Sequence, residues 1–489
     1  MLVQFLHYGF AKGLTWKALA LLIPGCTCYL LGQVAPVSPN RPWHAVEERQ
    51  IEADATKSFE PSFSVDPSKT YSLAELIDLA ETHNPETRFA WERARAQAAA
   101  MGVARSDLYP ALAASVLSQT GRDEIFFGPR FNGQVVQRFQ AQLDLNYTIF
   151  DFGARSGRIS AARAELLASN FGFNDTHRNV IFQVEQAYYR LLSAVGQEDA
   201  ARASLSNAQA VQQAAEDRLA NGLATLPDVL EARSATAQAD YDLQTVLGDE
   251  QIERGDLATA IGASATTAIH TKPLDQVPVP ESINETVDQA IDRALERRPD
   301  LMQQVAQIRS GNAKVKEAKA AYYPSLSLDV GSAPDALYGY QSPFPWAHTG
   351  DLTGSLSLTL RWTAFDGGAR NKRLSEAQAN VRAAEAQTNV ACNRIADEVW
   401  VAYSNLNTAF GQRRAALALV TAATQSYNAA LESYRYGVRN LLDVTAAQRT
   451  LAQARSADVL ARTQVLTSLA TLAYRTADSI QVNKSKQQP

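Results

Sequence analysis

Residues 153–219 run for 67 positions without a proline and with few glycines, and are rich in Ala, Leu, Gln, Glu and Arg. As one helix at 1.5 Å per residue this stretch makes a rod about 100 Å long. No compact domain has room for it, so the chain must build something elongated. Residues 368–436 repeat the pattern. Each stretch is followed, after a tight turn, by a returning helical segment, residues 228–260 and 443–476. Alanine and scattered polar residues surround both helices, which suits close packing between neighbours with water on two sides rather than one apolar core.

The doubling extends to the punctuation. Asn84-Pro85 answers Arg298-Pro299 and Tyr109-Pro110 answers Tyr323-Pro324, each displaced by 214 positions. Phe150-Asp151-Phe152-Gly153-Ala154-Arg155 answers Phe365-Asp366-Gly367-Gly368-Ala369-Arg370, and Gly222 with Asp228 answers Gly437 with Asp443, all displaced by 215. Shared composition alone would not hold turn motifs in register, so one unit is written twice. Each unit opens with a short amphipathic helix, residues 72–82 or 286–297, with Leu73, Leu76, Ile77 and Ala80 at helical spacing. Proline suits the first turn of the next helix, predicted to run to Leu108 or Tyr322. A Tyr-Pro pair then stops it, because the residue before proline is pushed toward extended geometry.

A strand, a polar loop and a second strand follow in each unit. Phe139, Ala141, Leu143, Leu145, Tyr147 and Ile149 alternate with Gln140, Gln142, Asp144, Asn146 and Thr148. Leu356, Leu358, Leu360 and Trp362 alternate likewise with Ser355, Ser357, Thr359 and Arg361. Such strands present one apolar and one polar face, as in a half-buried soluble sheet or in a membrane barrel with lipid outside and water inside. Loops are expected at residues 121–137 and 332–350. Four strands cannot close around an open lumen, so a barrel needs partner chains, and three copies give twelve strands.

The N-terminus reads as an export signal, with Lys12 and Lys17 before the apolar residues 18–23 and then Pro24-Gly25. Either the segment is removed whole, or Cys26 becomes a lipidated first residue. Elsewhere no apolar run reaches the roughly 20 residues of a transmembrane helix, so any membrane crossing must be a closed β-barrel. A net charge of −5, with 46 basic against 51 acidic residues, leaves no positive field for nucleic acid. Cys26, Cys28 and Cys392 form no disulfide framework. Six scattered histidines, including His177 in the first long helix, lack ligand spacing, and no catalytic or phosphate-binding motif appears. Neither an enzyme nor a cofactor is expected.

The order helix, helix, strand, strand, long helix, returning helix, written twice, with Tyr-Pro before the hairpin, Phe-Asp-x-Gly after it and Tyr434-x-x-Gly437-x-x-x-Leu441-Leu442-Asp443-Val444 at the far turn, resembles the TolC-type outer-membrane efflux family over residues 71–478. The resemblance implies a mainly α fold with a membrane β-barrel: duplicated long-helix hairpins plus two β-hairpins per chain, assembling as a homotrimer whose 12-strand barrel sits in outer-membrane lipid and continues into a periplasmic α-helical barrel. It implies a passive exit duct of a tripartite efflux or type I secretion system, working with a periplasmic adaptor (membrane fusion) protein and an inner-membrane pump of the RND, ABC or MFS class. A periplasmic coiled-coil adaptor or structural rod is the alternative, but would lack the paired strands. By the same resemblance Tyr434 and Arg439 of the second far turn and Asp228 of the first occupy the positions whose contacts hold the entrance shut, with Pro227 where the family often has a small hydroxyl residue. An aspartate also favours a helix start in its own right. Asp443 matches a carboxylate lining the entrance, which threefold symmetry would make a cation-favouring ring, weakened here by Ala446 where relatives often carry a second aspartate. The expected organisation is a signal segment at 1–35, an N-terminal arm at 36–70, efflux repeats at 71–262 and 284–478 around a linker at 263–283, and a disordered tail at 479–489.

Overall fold

The structure, a computed structural model, describes residues 48–57, 63, 65–127, 130–283, 285–341 and 345–478. The expected signal segment with Cys26 and the expected tail at 479–489 lie outside them. The chain divides into two units, Met1–Ser62 and Phe63–Pro489. In the first, α1 (Glu48–Lys57) is a ten-residue polar helix with Glu48 in its first turn. The second runs β1 (Thr70–Tyr71), α2 (Leu73–His83), α3 (Pro85–Ser106), β2 (Ala111–Phe127), β3 (Arg130–Phe150), α4 (Ala154–Ala220), α5 (Leu226–Ala260), β4 (His270–Thr271), α6 (Val287–Arg297), α7 (Pro299–Ala320), β5 (Ser325–Gln341), β6 (Ala347–Arg361), α8 (Ala369–Arg435) and α9 (Leu441–Thr476).

Local chemistry sets the ends of these elements. Ser72 and Glu75 form a capping box at the start of α2, and Thr286 and Gln289 one at α6, each satisfying two of the N–H groups that a helix start leaves open. Pro85 and Pro299 occupy the first turns of α3 and α7. At the strand-to-rod junctions Asp151 accepts from Gly153 N–H at 3.2 Å and from Arg155 N–H at 2.7 Å, and Asp366 accepts from Gly368 at 3.1 Å and Arg370 at 2.9 Å. The sharp turn needs two successive left-handed residues. Gly367 and Gly368 supply them in the second repeat (φ 64° and 83°), Phe152 and Gly153 in the first (φ 49° and 98°). Phe152 bears the steric cost of that region, partly offset by stacking on Tyr323 with centroids 4.9 Å apart.

Both rods, α4 and α8, are 67 residues long, and each changes partners midway. Near the strands α4 lies on α3 and α7, so close that a Cβ on Gly157 would stand 2.8 Å from the Glu317 backbone nitrogen. Farther out it lies on α5 and α9, with Arg190 3.4 Å from Glu253 and Gln197 donating to Ser456 O at 2.9 Å. α8 passes from α6 and α7 to α9 in the same way. Apolar clusters fill the middle around Leu76, Val184, Leu191, Leu192, Leu257 and Ile269, and around Ile395, Val399, Leu406 and Val465; a third fills the far end around Val229, Tyr427, Tyr434 and Val444.

A buried ionic network pins the level where partners change. Arg298, only 3% exposed, donates to Asp300 at 3.0 and 2.7 Å and to Glu398 at 2.7 Å. Arg178, 1% exposed, donates to Asp175 at 2.5 Å and to Tyr474 O at 3.1 Å, and lies 3.6 Å from Asp300. Arg475 joins Glu398 at 3.0 Å. Four helices, α4, α7, α8 and α9, meet in this one network.

The four long strands form one antiparallel sheet in the order β2-β3-β5-β6, while β1 and β4 pair in parallel in a separate two-stranded sheet. The long strands extend further than expected. Much of residues 121–137 and 332–350, expected as loops, is paired strand: Gly121 faces Val136, and Ala336 faces Gly350. A hairpin ladder is held by backbone hydrogen bonds, so it continues through polar residues and glycines that show no apolar alternation.

Candidate functional site

Opposed residues of an antiparallel ladder share a face. Leu112, Leu145, Val330 and Leu356 align across all four strands, as do Tyr147, Leu328 and Leu358 across three. The opposite face carries Asn146, Asp329 and Ser357 in one row and Asp144, Gly331 and Ser355 in the next. Polar side chains satisfy one another there: Asn146 donates to Asp329, and Gln142 to Asp144 at 2.6 Å. The apolar face is bare in the single chain, Val116 being 83% and Leu356 74% exposed. A register shift between Thr148 and Phe150 sets Phe150 opposite Leu326, keeping it on that face. Aromatics border the band, with Phe139 against Tyr338 and Tyr340 against Trp346 at one end and Phe150, Phe152 and Tyr323 at the other. Within the described sheet the outer edges of β2 and β6 have no strand beside them.

The far helical turns lie at the other end of the rods. α4 ends with Gly222 N–H on Leu219 O at 2.9 Å and Leu223 N–H on Arg218 O at 2.7 Å; α8 ends with the same pair of bonds, Gly437 on Tyr434 at 2.9 Å and Val438 on Ser433 at 2.8 Å. Gly222 and Gly437 are both left-handed (φ 71° and 77°), the closing geometry that glycine serves at a helix end.

The residues singled out from the sequence lie on these turns, with different commitments. Asp228 forms a capping box with Thr225, accepting from its N–H at 2.9 Å and its hydroxyl at 2.7 Å. The Thr225 bonds, backbone first, and the nearby Arg218 charge hold its carboxyl below the usual aspartate range. Tyr434 is 3% exposed and belongs to the far apolar cluster; its hydroxyl is buried with no hydrogen-bond partner among the described residues. Burial raises its phenol pKa. Arg439 places its backbone N–H on Ser433 O at 3.3 Å. Asn440 caps α9 by accepting from Asp443 N–H at 2.9 Å, and no box closes there. The exposed Asp443 carboxylate thus stands clear where its counterpart Asp228 is engaged.

The side chain that joins the two turns is one the sequence did not single out. Arg218 Nη1 donates to Tyr434 O at 2.6 Å and Nη2 to Leu223 O at 3.1 Å, and the guanidinium lies 4.8 Å from the centroid of the Tyr434 ring. The available signal was a mismatch between repeats, since position 433, which answers 218, is serine.

Among the described residues no grouping of His, Cys, Asp and Glu could hold a metal ion, and no helix is long and apolar enough to cross a membrane. His177 lies 3.7 Å from Glu81 and edge-on to Phe173.

The sequence profile described as Outer membrane efflux protein matches residues 76–263 and 290–476. Protein CyaE of Bordetella pertussis is 29% identical over 412 residues, 82% of this chain and 83% of that protein. Outer membrane protein OprJ of Pseudomonas aeruginosa is 26% identical over 449 residues, 90% of each. Among solved structures, a membrane protein from Pseudomonas aeruginosa superposes with a TM-score of 0.73 at 24% identity, covering 86% of this chain and 99% of that one. The outer-membrane channel OprN gives 0.72 at 20% identity, covering 91% and 98%.

Proposed function

Since the chain belongs to the outer membrane efflux protein family, a family of outer-membrane channels and not enzymes with a periplasmic helical extension, we propose that three copies form a passive exit duct. The observation that carries this reading is the four-stranded sheet, apolar on one face and open at both edges. An unpaired backbone amide in lipid costs several kcal/mol, so the edges of β2 and β6 must be covered, and neighbouring copies do this with the same two edges. Twelve strands result. From Phe139 to Phe150 the chain advances eleven residues, about 36 Å along the strand and about 28 Å of height at a barrel strand's usual tilt, near the roughly 25 Å apolar belt of outer-membrane barrels.

The long helices then carry the lumen into the periplasm, where the far turns meet a periplasmic adaptor protein and an inner-membrane pump of the RND, ABC or MFS class. We assign Tyr434, Arg439 and Asp228 to the closed entrance. Three copies of Asp443 form a ring of like charge that favours cations. Opening is a two-state realignment of the hairpins, biased by the docked partner.

The test is membrane fractionation, followed by cross-linking in detergent and planar-bilayer recording of the purified protein. Outer-membrane location, a trimeric cross-linked species and ion conduction are expected. A water-soluble monomer that does not conduct overturns the proposal.

A further inference from the structure

We propose that Arg218 is a strap within each chain that holds the second helical hairpin against the first and so keeps the far end closed, an inference that rests on the channel reading above. The last carbonyls of a helix lack the i+4 donor that a further turn would supply, keep a lone pair for a second bond even where the closing glycine N–H takes one, and carry the negative dipole end. Here two such ends, those of α4 and α8, meet at the same place. Arg218, from the last turn of α4, puts one positive group between them. It bonds Tyr434 O of α8 at 2.6 Å, lies 3.5 Å from Arg435 O, and bonds Leu223 O just beyond its own helix at 3.1 Å.

The guanidinium has been given room for this. It lies over the Tyr434 ring, a favourable place for a cation, and Gly437 leaves open the space 3.6 Å from Nη1 that a side chain would enter. Its Nε is buried and without a partner among the described residues. A side chain that leaves one donor unsatisfied to reach two carbonyls is held by those carbonyls. The arrangement is one-sided, because Ser433 stands at the answering position of α8. Separating the two hairpins of one chain pulls Tyr434 O from Arg218.

Lysine cannot reproduce the device. Its single ammonium lacks the planar fork that reaches two acceptors at once.

The experiment uses the full-length protein with its cysteines replaced by serine and spin labels at Leu230→Cys and Leu442→Cys, one on each returning helix. Double electron–electron resonance in detergent is combined with bilayer recording for the parent, Arg218→Met and Arg218→Lys. Arg218→Met is expected to lengthen and broaden the distance between the hairpins and to raise open probability about tenfold or more, the scale of one charge-assisted hydrogen bond. Arg218→Lys should fall between the two. An unchanged distance in Arg218→Met overturns the strap whatever the conductance. A lengthened distance with unchanged open probability overturns its part in closure. If the distance lengthens but none of the three proteins conducts, the strap stands and the channel reading fails.

Discussion

Replacing Arg298 by methionine tests the buried network at mid-height. The substitution keeps most of the volume but removes three hydrogen bonds, two to Asp300 and one to Glu398. Breaking a buried ion pair from one side costs about 3–5 kcal/mol, because the surviving charge is left without its partner. Two features place the expected loss near the lower bound, about 3 kcal/mol: the Asp300 and Glu398 side chains keep 19% and 22% of their exposure, and Arg178, Arg394 and Arg475 remain nearby. For a chain this long, with a large unfolding entropy, the heat-denaturation midpoint should drop by about 3–6 °C, read from helical circular dichroism in detergent at one scan rate.

The acid dependence makes the test specific. Burial pushes the Asp300 carboxyl up, but the hydrogen bonds and charge of Arg298, then Arg178, outweigh it and leave it below its ordinary 3.8. A carboxyl depressed in the folded state adds stability that is full above its unfolded pKa and is lost as pH falls through the folded one. In Arg298→Met the burial effect is left less opposed, so protonation becomes a relief. The gap between parent and variant should therefore be widest near pH 7 and narrow as pH falls below about 4. A variant as stable as the parent at pH 7, or a gap indifferent to pH, refutes the reasoning.

Three further outcomes are expected. Leu358→Arg, on the apolar face of the sheet, should destabilise folding into lipid vesicles by about 2–4 kcal/mol while Ser357→Arg on the polar face costs far less; equal effects would contradict the assignment of faces. Asp443→Asn should lower cation preference, seen as a smaller reversal potential in a salt gradient, with open probability little changed. Gly157→Val should force α4 away from α7, since its first side-chain atom already meets the Glu317 backbone, at a cost of about 1–3 kcal/mol measured by thermal denaturation.

Much of this architecture could be read from the chain because the signals were local. Ser72 and Thr286 mark helix starts, Tyr109-Pro110 and Tyr323-Pro324 mark helix stops, and the alternation from Phe139 to Ile149 marks a strand. The long helices predicted at 153–219 and 368–436 are observed within a residue or so at each end. The outer halves of the hairpins escaped, because residues such as Gly121 and Arg122 show no apolar alternation and are held by their cross-strand partners. Arg218 and Arg298 escaped for another reason. Their roles depend on groups 216 and 100 positions away, Tyr434 O and Glu398. Both stand where the repeats disagree, Arg218 against Ser433 and Arg298 against Asn84. Asn84 caps its helix and bonds Ala260 O, whereas Arg298 bonds outward to the neighbouring rod.

The equal length of α4 and α8 restricts how this chain can change in evolution or by design. One residue added to a single rod would advance its tip by about 1.5 Å and turn it by about 100°, carrying Arg218 away from the carbonyl it meets and swinging every later side chain to a different flank. Growth or shrinkage must therefore come in steps that nearly complete whole turns, about seven residues for two or about eleven for three, made in both rods and repeated in both returning helices. A distance set by the cell, such as the gap between two membranes, would thus be met by a ladder of allowed sizes, with no intermediate lengths between its rungs.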